Sequence, residues 1–159
     1  MKRVPSKHKV TQADYEALAK FRYALRQFLY FSEKAARAAG LTPQHHQAML
    51  AIKGFPSRDR ITIGELAERL QIRHHSAVGL ADRLVAERFV RRVADQQDRR
   101  QVRLALTARG EAVLEKLSAA HHEQLQRVGP QINRLLTRLR GAAAHPKPIT
   151  GDDAPNLKN

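Results

Sequence analysis

The chain has 159 residues, 42% of them hydrophobic, so it can bury one core, or a core together with a subunit interface. Its 29 lysines and arginines outnumber its 15 aspartates and glutamates, and the net charge of +14 favours polyanions such as nucleic acid or an acidic membrane face. The lack of cysteine excludes disulfides, thiolate zinc sites and thiol redox switches. No apolar run approaches the roughly 18 residues that cross a bilayer and no secretory leader opens the chain, so we expect a cytoplasmic protein.

The first 40 residues predict a basic arm followed by one long helix. Residues 1–10 place several cations around Pro5 and are expected to form a flexible arm. Thr11 can cap a helix through about Ala39, which Gly40 then ends. This helix is apolar over more than one side, so we expect it to be covered by its own core and by a second subunit. It holds six of the chain's eight aromatic side chains: Tyr15, Phe21, Tyr23, Phe28, Tyr30 and Phe31.

Three shorter helices are predicted next. Thr42 can cap the first of them, and Pro43 stands in its first turn, where a missing amide costs nothing. The second is announced by Thr62 and Glu65, which have the spacing of a reciprocal capping box. The third follows a turn of only a few residues, at positions 71–74, and this spacing is typical of a helix-turn-helix.

The third of these helices has one apolar and one polar side. Its apolar positions recur at helical spacing, at Ala77, Leu80, Ala81, Leu84 and Val85. The residues facing away from them are Arg73, His74, His75, Ser76, Gly79 and Arg83. Imidazole and hydroxyl groups can donate into a major groove, and Val78 could touch a thymine methyl. Gly79 costs the helix about 1 kcal/mol, which close approach to DNA would explain, although a tolerated surface glycine explains it equally well.

Two alternating runs, at 90–94 and 102–106, predict a short hairpin. The hairpin and its loop are strongly basic, through Arg91, Arg92, Arg99, Arg100 and Arg103. A basic hairpin beside a two-helix pattern fits a winged helix-turn-helix that reads double-stranded DNA. The alternative is a solvated basic face. Thr107 can cap a further helix, which we expect Gly129 and Pro130 to interrupt before a last amphipathic helix.

These elements predict a mainly α protein: a winged helix-turn-helix with a small β-hairpin wing and N- and C-terminal helices that form a dimerisation domain. We assign residues 1–10 to the arm, 11–40 to a dimerisation helix and 41–107 to the DNA-binding lobe. Residues 108–141 are assigned to C-terminal dimerisation helices, and 142–159 to a disordered tail.

The chain from about Leu18 to Arg140 resembles the MarR family of bacterial winged-helix transcription regulators. The segments that carry the resemblance are Leu41-Thr42-Pro43-Gln44, Ile63-Gly64-Glu65-Leu66-Ala67-Glu68-Arg69-Leu70, Asp82-Arg83-Leu84, Asp98-Arg99-Arg100 and Leu104-Ala105-Leu106-Thr107 with Gly110. The wing motif leading into Leu-x-Leu-Thr-x-x-Gly at fixed spacing is the specific part. Two departures are an arginine, Arg73, where the family often has a small hydroxyl cap, and Arg88-Phe89 where it usually has a glycine.

The resemblance implies a homodimer on a palindromic operator, with repression as the commoner outcome. It places the wing at a minor groove, with Arg100 inserted and Asp98 orienting it by an ion pair. DNA contacts are expected at Arg73, His74, His75, Ser76, Val78, Gly79, Arg83, Arg92, Asp98, Arg99 and Arg100. It also implies a small aromatic or anionic ligand that releases DNA, in a cavity that could be lined by Tyr15, Phe28, Tyr30, Phe31 and His46, for which plain core is the alternative.

Other chemistry fits the sequence less well. Adjacent histidines splay about 100° apart on a helix, so the pairs at 45–46, 74–75 and 121–122 favour polar surface over metal, although His121 or His122 could meet His45 or His46 across a subunit. No glycine-rich phosphate loop or cysteine nucleophile is present, so we expect neither an enzyme nor a cofactor. A metal-responsive regulator and a non-specific polyanion or membrane-surface binder remain the alternative functions.

Overall fold

The computed structural model describes residues 9–56, 59–95, 97–98 and 100–142. Most of the basic arm, the tail beyond position 142 and Arg99 therefore lie outside the described residues. Within them the chain forms five helices and one antiparallel hairpin, which confirms the predicted mainly α winged fold. The elements are α1 (Gln12–Ala38), α2 (Pro43–Lys53), α3 (Ile63–Leu70), α4 (His74–Ala86), β1 (Val90–Ala94), β2 (Val102–Leu106) and α5 (Ala108–Ala142).

The helices begin where the sequence places their caps. The Thr11 hydroxyl accepts from the amide of Asp14, whose carboxylate accepts from the amide of Thr11. The Thr42 hydroxyl accepts from the amide of His45, 3.1 Å away. Gly40 follows α1 with a φ of +78°, a left-handed conformation that glycine adopts without strain. Local side-chain chemistry thus sets the boundaries of the first two helices.

The C-terminal part differs from the expectation of two helices. One continuous helix, α5, runs through Pro130. Inside a helix, proline removes one backbone hydrogen bond, and its ring clashes with the carbonyl four residues earlier. It also clashes with the backbone and the Cβ of the residue before it. The residue before Pro130 is Gly129, which has no Cβ, so one of these costs is reduced. Residues 108–141 therefore supply one helix rather than several.

The chain divides into two compact units. One extends from Leu25 to Val128, and the other is formed by Met1–Ala24 and Gly129–Asn159. In the second unit, the described helical residues belong to the first part of α1 and the last part of α5, where Ala17 and Ala24 are buried.

The core of the Leu25–Val128 unit collects apolar residues from α2, α3, α4, the hairpin and α5. Its fully buried large side chains are Met49, Ile52, Ile61, Leu66, Leu80, Leu84, Val90 and Leu104. Ile61 also pairs with Leu104 as an isolated bridge, adding one residue of strand to the edge of the hairpin. The loop before α3 is thereby attached to the wing, so helix pair and hairpin share one core.

Candidate DNA interface

The turn between α3 and α4 has the tight geometry of a helix-turn-helix. At its start, the Thr62 hydroxyl accepts from the amide of Glu65, and the Glu65 carboxylate accepts from the amide of Thr62 at 2.8 Å, so the predicted capping box is present. Gln71 ends α3 with a φ of +54°, and the amide of Ile72 donates to the carbonyl of Ala67. Two residues later α4 begins.

Helix α4 is two-sided, as its sequence pattern predicts. The buried positions are Ala77, Leu80, Ala81 and Leu84. The exposed positions are Arg73, His74, His75, Ser76 and Arg83, whereas Val78 and Gly79 are half-buried. A shallow groove runs along the exposed side and is lined by Gln44, Ile72, His75, Ser76, Gly79, Leu80 and Arg83. The polar side of α4 is thus an open surface with an edge contributed by α2.

Two details of α4 suit the approach of a large polyanion. A Cβ added at Gly79 would meet no atom within 4 Å, so the space outside this glycine is free of protein. Arg73 occupies the N-cap position and makes no side-chain cap. The first turn of α4 carries no acidic residue, and the cation Arg73 precedes it. The free backbone N–H groups at this end of the helix point outward, as in helix N-termini that bind phosphate.

The hairpin has the predicted strand boundaries, with Val90 opposite Leu106 and Ala94 opposite Val102. The exposed arginine Arg92 forms an ion pair with Asp82 of α4. This pair lies on the surface and connects the first wing strand with the helix whose polar side faces outward. Arg92 is therefore partnered within the chain, whereas Arg91 and Arg100 are also exposed.

The base of the wing explains the Leu-Thr-x-x-Gly motif. The Thr107 hydroxyl donates to the carbonyl of Arg88 at 2.7 Å and accepts from the amide of Gly110 at 3.1 Å. A Cβ added at Gly110 would lie 2.1 Å from the carbonyl oxygen of Phe89, so only glycine lets α5 begin this close to the hairpin. Arg88 has a φ of +62°, the left-handed conformation that a glycine would adopt freely, so the departure keeps the turn and adds strain.

At the tip of the wing, Asp98 acts differently from the expected ion pair. In the part of the chain that the structure describes, its carboxylate accepts from the backbone amide of Arg100 at 3.0 Å and forms no ion pair with the Arg100 guanidinium. The carboxylate thus shapes the turn and leaves the Arg100 side chain exposed. The sequence does not distinguish an ion pair with the Arg100 guanidinium from a hydrogen bond with the Arg100 amide, because the Asp98 carboxylate could reach either group.

Arg103 is a hairpin arginine whose burial the sequence pattern does not predict. Its side chain is only 11% exposed and contacts the carboxylates of Asp95 and Glu65. The hydrogen bond from Arg103, together with those from the amides of Gln97 and Asp98, holds the pKa of Asp95 down at about 2. Arg103 therefore carries a charge that belongs to the interior of the wing.

The five residues proposed to line a ligand cavity lie in different surroundings. Tyr15 and Tyr30 are exposed, Phe28 and Phe31 are half-buried, and His46 is buried with 4% exposure. Tyr30 lines a surface groove with Gln27, Gln124, Arg127 and Val128.

An aromatic cluster forms around His121, which is not among the residues that the sequence predicts for the ligand cavity. Its ring lies 4.8 Å from that of His46, with Phe28 and Phe31 at 5.9 and 5.5 Å. His121 Nδ1 donates to the Leu117 carbonyl at 2.6 Å, so in the neutral ring Nε2 accepts from the Ser32 hydroxyl at 2.7 Å. Burial, and then the charge of His121, lower the pKa of His46 below its usual value. The sequence allowed these histidines to meet across a subunit, whereas in the structure His46 and His121 meet within one chain.

Together, the α3–α4 turn, the open polar side of α4 and the two-stranded hairpin define the chain as a winged helix-turn-helix protein. Residues 39–101 match the sequence model of the MarR family. No curated protein matches the chain.

Solved structures with the same fold include AbsC, a MarR family transcriptional regulator from Streptomyces coelicolor, with 21% identity and a TM-score of 0.65 over 86% of this chain and 93% of that one. A mutant of S. aureus MepR bound to an oligodeoxyribonucleotide has 19% identity and a TM-score of 0.60, over 84% and 99% of the two chains. A mutant of E. coli MarR complexed with operator DNA has 20% identity and a TM-score of 0.56, over 74% and 89%.

Two further findings concern the described residues. No helix among them is long and apolar enough to pass through a bilayer. Nor do they contain a group of three or more histidine or acidic side chains arranged to hold a metal ion.

Proposed function

We propose that the chain is a transcription regulator that binds a specific sequence of double-stranded DNA. The observation that carries this proposal is the outward polar side of α4 beside the exposed Arg100 of the wing. Solved structures of the same fold include one complex with operator DNA and one with an oligodeoxyribonucleotide. Helix α4 enters the major groove, and the wing lies at the neighbouring minor groove. The contacts proposed for α4 are Arg73, His74, His75, Ser76, Val78, Gly79 and Arg83, and those for the wing are Arg92, Asp98, Arg99 and Arg100.

Affinity and sequence selection come from different residues in this proposal. Arg73, Arg83 and the wing arginines supply cations for the phosphates, and the net charge of +14 supports attraction to DNA from a distance. His75 and Ser76 lie on the exposed side of α4 and donate to base edges. Arg100 suits a narrow A·T minor groove, because the negative potential is strongest there.

We further propose that two copies act together as a homodimer on a palindromic operator. In the isolated chain, α1 and α5 leave large apolar side chains exposed: Tyr15, Leu18, Tyr23, Leu25, Leu29, Tyr30, Leu125 and Leu136. A second copy that covers such faces gives an isologous interface. Residues 11–40 and 108–141 are the proposed dimerisation segments, and the two lobes 41–107 then meet half-sites about one helical turn apart.

We also propose that a small ligand regulates the binding of DNA. An aromatic or anionic ligand, held near Phe28, Tyr30, Phe31 and His46, would release the DNA of a repressor. Tyr30 and Arg127 line the same groove, so an aromatic ring and a cation are available together on that surface. Binding of such a ligand must favour one arrangement of the helices over another for release to follow.

Selection of duplexes from a random-sequence pool tests the sequence-specific reading. We expect the wild-type protein to enrich a palindromic motif, and His75→Ala and Ser76→Ala to change that motif more than they change total affinity. An unaltered motif in both variants would contradict the role given to α4. Vesicles containing anionic lipid, sedimented with the protein at the same salt concentrations, test the alternative of a membrane-surface binder; binding to them with no duplex preference would favour it.

A further inference from the structure

The wing contains a buried cation that touches both the wing loop and the helix-turn-helix. Arg103 belongs to β2, but its Nε atom donates to Asp95 Oδ2, and its guanidinium lies 3.4 Å from Glu65 Oε2. The side chains of Arg103 and Asp95 are 11% and 10% exposed, and that of Glu65 is 30% exposed. Arg103 therefore joins a carboxylate of the wing, Asp95, to a carboxylate in the first turn of α3, Glu65.

Asp95 organises the tip of the wing with its other oxygen. Oδ1 accepts from the amides of Gln97 and Asp98 at 2.7 and 3.1 Å. Two backbone hydrogen bonds also close the loop: the amide of Asp95 donates to the carbonyl of Gln101, and the amide of Gln101 donates to the carbonyl of Asp98. The orientation of Asp95 thus determines the orientation of the turn that presents Arg100.

Glu65 is fixed at the other end of this connection. The oxygen that contacts Arg103 also accepts from the amide of Thr62, so the carboxylate is part of the cap of α3. The adjacent bridge between Ile61 and Leu104 joins the two backbones at the same level. A chain of polar contacts therefore runs from the first turn of α3, through Arg103, to the tip of the wing.

We propose that Arg103 is a positioning residue, which sets the angle of the wing loop against α3 and so places Arg100 on DNA. This inference rests on the proposed DNA binding. Without the guanidinium, two carboxylates would face each other at low exposure, and their repulsion would release the loop from α3. The strands would keep their backbone pairing and the apolar core, because neither depends on the Arg103 head group.

Burial separates this role from direct contact with DNA. Arg100 is exposed, whereas Arg103 is covered and already has two anionic partners. Replacing a residue that contacts phosphate directly weakens binding by the same factor whether or not the Arg100 side chain is present. A residue that acts through Arg100 has no further effect on binding once Arg100 is gone.

A double-mutant cycle measures this difference. Binding of wild type, Arg103→Met, Arg100→Ala and the double variant is compared on a duplex that the wild-type protein has selected from a random pool. We expect Arg103→Met to weaken binding about tenfold in the wild-type background and less than about twofold in the Arg100→Ala background. A tenfold loss in both backgrounds would overturn the proposal.

A milder variant keeps the cycle decisive if Arg103→Met does not fold. Glu65→Gln retains the helix cap, since glutamine serves equally in a capping box, but it removes one charge from Arg103. We expect it to weaken binding about threefold, and only while Arg100 is present. The same loss without Arg100 would contradict a positioning role.

Amide hydrogen exchange tests, without DNA, whether Arg103 holds the wing loop in place. In Arg103→Met we expect the amides of Gln97, Asp98 and Arg100 to exchange at least about fivefold faster, while that of Leu66 in α3 is unchanged. Unchanged exchange at the three loop amides would overturn the proposal even for a protein that binds DNA well. If the wild-type protein selects no duplex, the proposed function fails, and the exchange result alone decides whether Arg103 holds the loop.

Discussion

Single side chains in this lobe divide between those that face outward and those that tie the wing together. Arg100 is exposed at the tip, and its backbone amide donates to Asp98, so within the described part of the wing the guanidinium has no carboxylate partner. Arg92 and Arg103, by contrast, have carboxylate partners within the chain. Counting basic residues in the hairpin thus overstates the charge that is free to meet DNA.

We predict that Arg100→Ala weakens binding to the selected duplex by at least about tenfold, roughly 1.4 kcal/mol, while leaving the oligomeric state unchanged. This variant would lose the proposed contact of the Arg100 guanidinium with the minor groove, where the negative potential is strongest. A gel-shift titration measures the affinity. Arg37→Ala removes the same charge from an exposed position in α1 and serves as the control. Equal affinities of Arg100→Ala and wild type would show that the wing is not used in this way.

Gly79 gives a prediction in which stability and function change in opposite directions. Gly79→Ala should raise the free energy of unfolding by up to about 1 kcal/mol, because alanine favours helix and the space around Gly79 is open. The same methyl should weaken duplex binding by roughly tenfold if the backbone of α4 approaches DNA here. Chemical unfolding and a binding titration measure the two effects.

Gly141→Ala is the matched control, since it adds a methyl to a helical glycine of α5 that also has no neighbour within 4 Å. Its duplex binding should equal that of wild type. A Gly79→Ala protein with undiminished affinity would mean that Gly79 is only a tolerated surface glycine.

Helices and strands show how far local sequence signals determine this fold. The hydroxyl caps Thr11, Thr42, Thr62 and Thr107 each act within three residues, and the hairpin alternates with a period of two, so both could be predicted closely. The continuity of α5 could not, because the effect of Pro130 depends on its neighbour Gly129 as well as on proline itself.

The interactions that local patterns predict least well join residues far apart in the chain. The sequence offered a contact between His46 and His121 only across a subunit, whereas these residues, 75 positions apart, meet within one chain. The contact of Glu65 with Arg103, across 38 positions, was not predicted. The buried state of Arg103 was hidden for the same reason, since an arginine in a polar strand has the same local pattern whether it faces water or a carboxylate. The ion pair of Arg92 with Asp82 joins the wing to α4 and likewise depends on packing.

The packing of α2 against α5 through His46 and His121 makes stability depend on pH. The folded state keeps the pKa of His46 below the unfolded value of 6.5, so the unfolded chain binds more protons as the pH falls through that value. The free energy of unfolding should therefore be highest above about pH 6.5 and decline below it. His46→Phe, which cannot be protonated, should reduce this decline in urea-unfolding measurements between pH 7 and pH 5.

His122→Gln serves as the control for the pH effect, because His122 is an exposed residue of the same helix as His121. Its pH profile should follow that of wild type. If His46→Phe and wild type lost stability in parallel over this range, the buried imidazole would not be the group responsible.

At the scale of the whole molecule, the basic charge and the exposed apolar side chains of α1 and α5 both fit a dimer that binds DNA. The exposed side of α4 and the wing are suited to DNA, and the apolar side chains left on α1 and α5 are suited to a second copy. Two lobes held in one dimer can contact two half-sites at once, which raises affinity without any new kind of contact. The proposed DNA binding therefore requires both pairing of two chains and electrostatic attraction to the duplex.

Sedimentation of a fluorescent duplex, selected by the wild-type protein, with increasing protein at several salt concentrations measures both at once. We predict two chains per duplex and an association constant that falls linearly with salt on a double-logarithmic scale, with a slope of about −0.9 for each phosphate contacted. A protein that sediments as single chains and leaves every duplex unbound at low ionic strength would contradict this account.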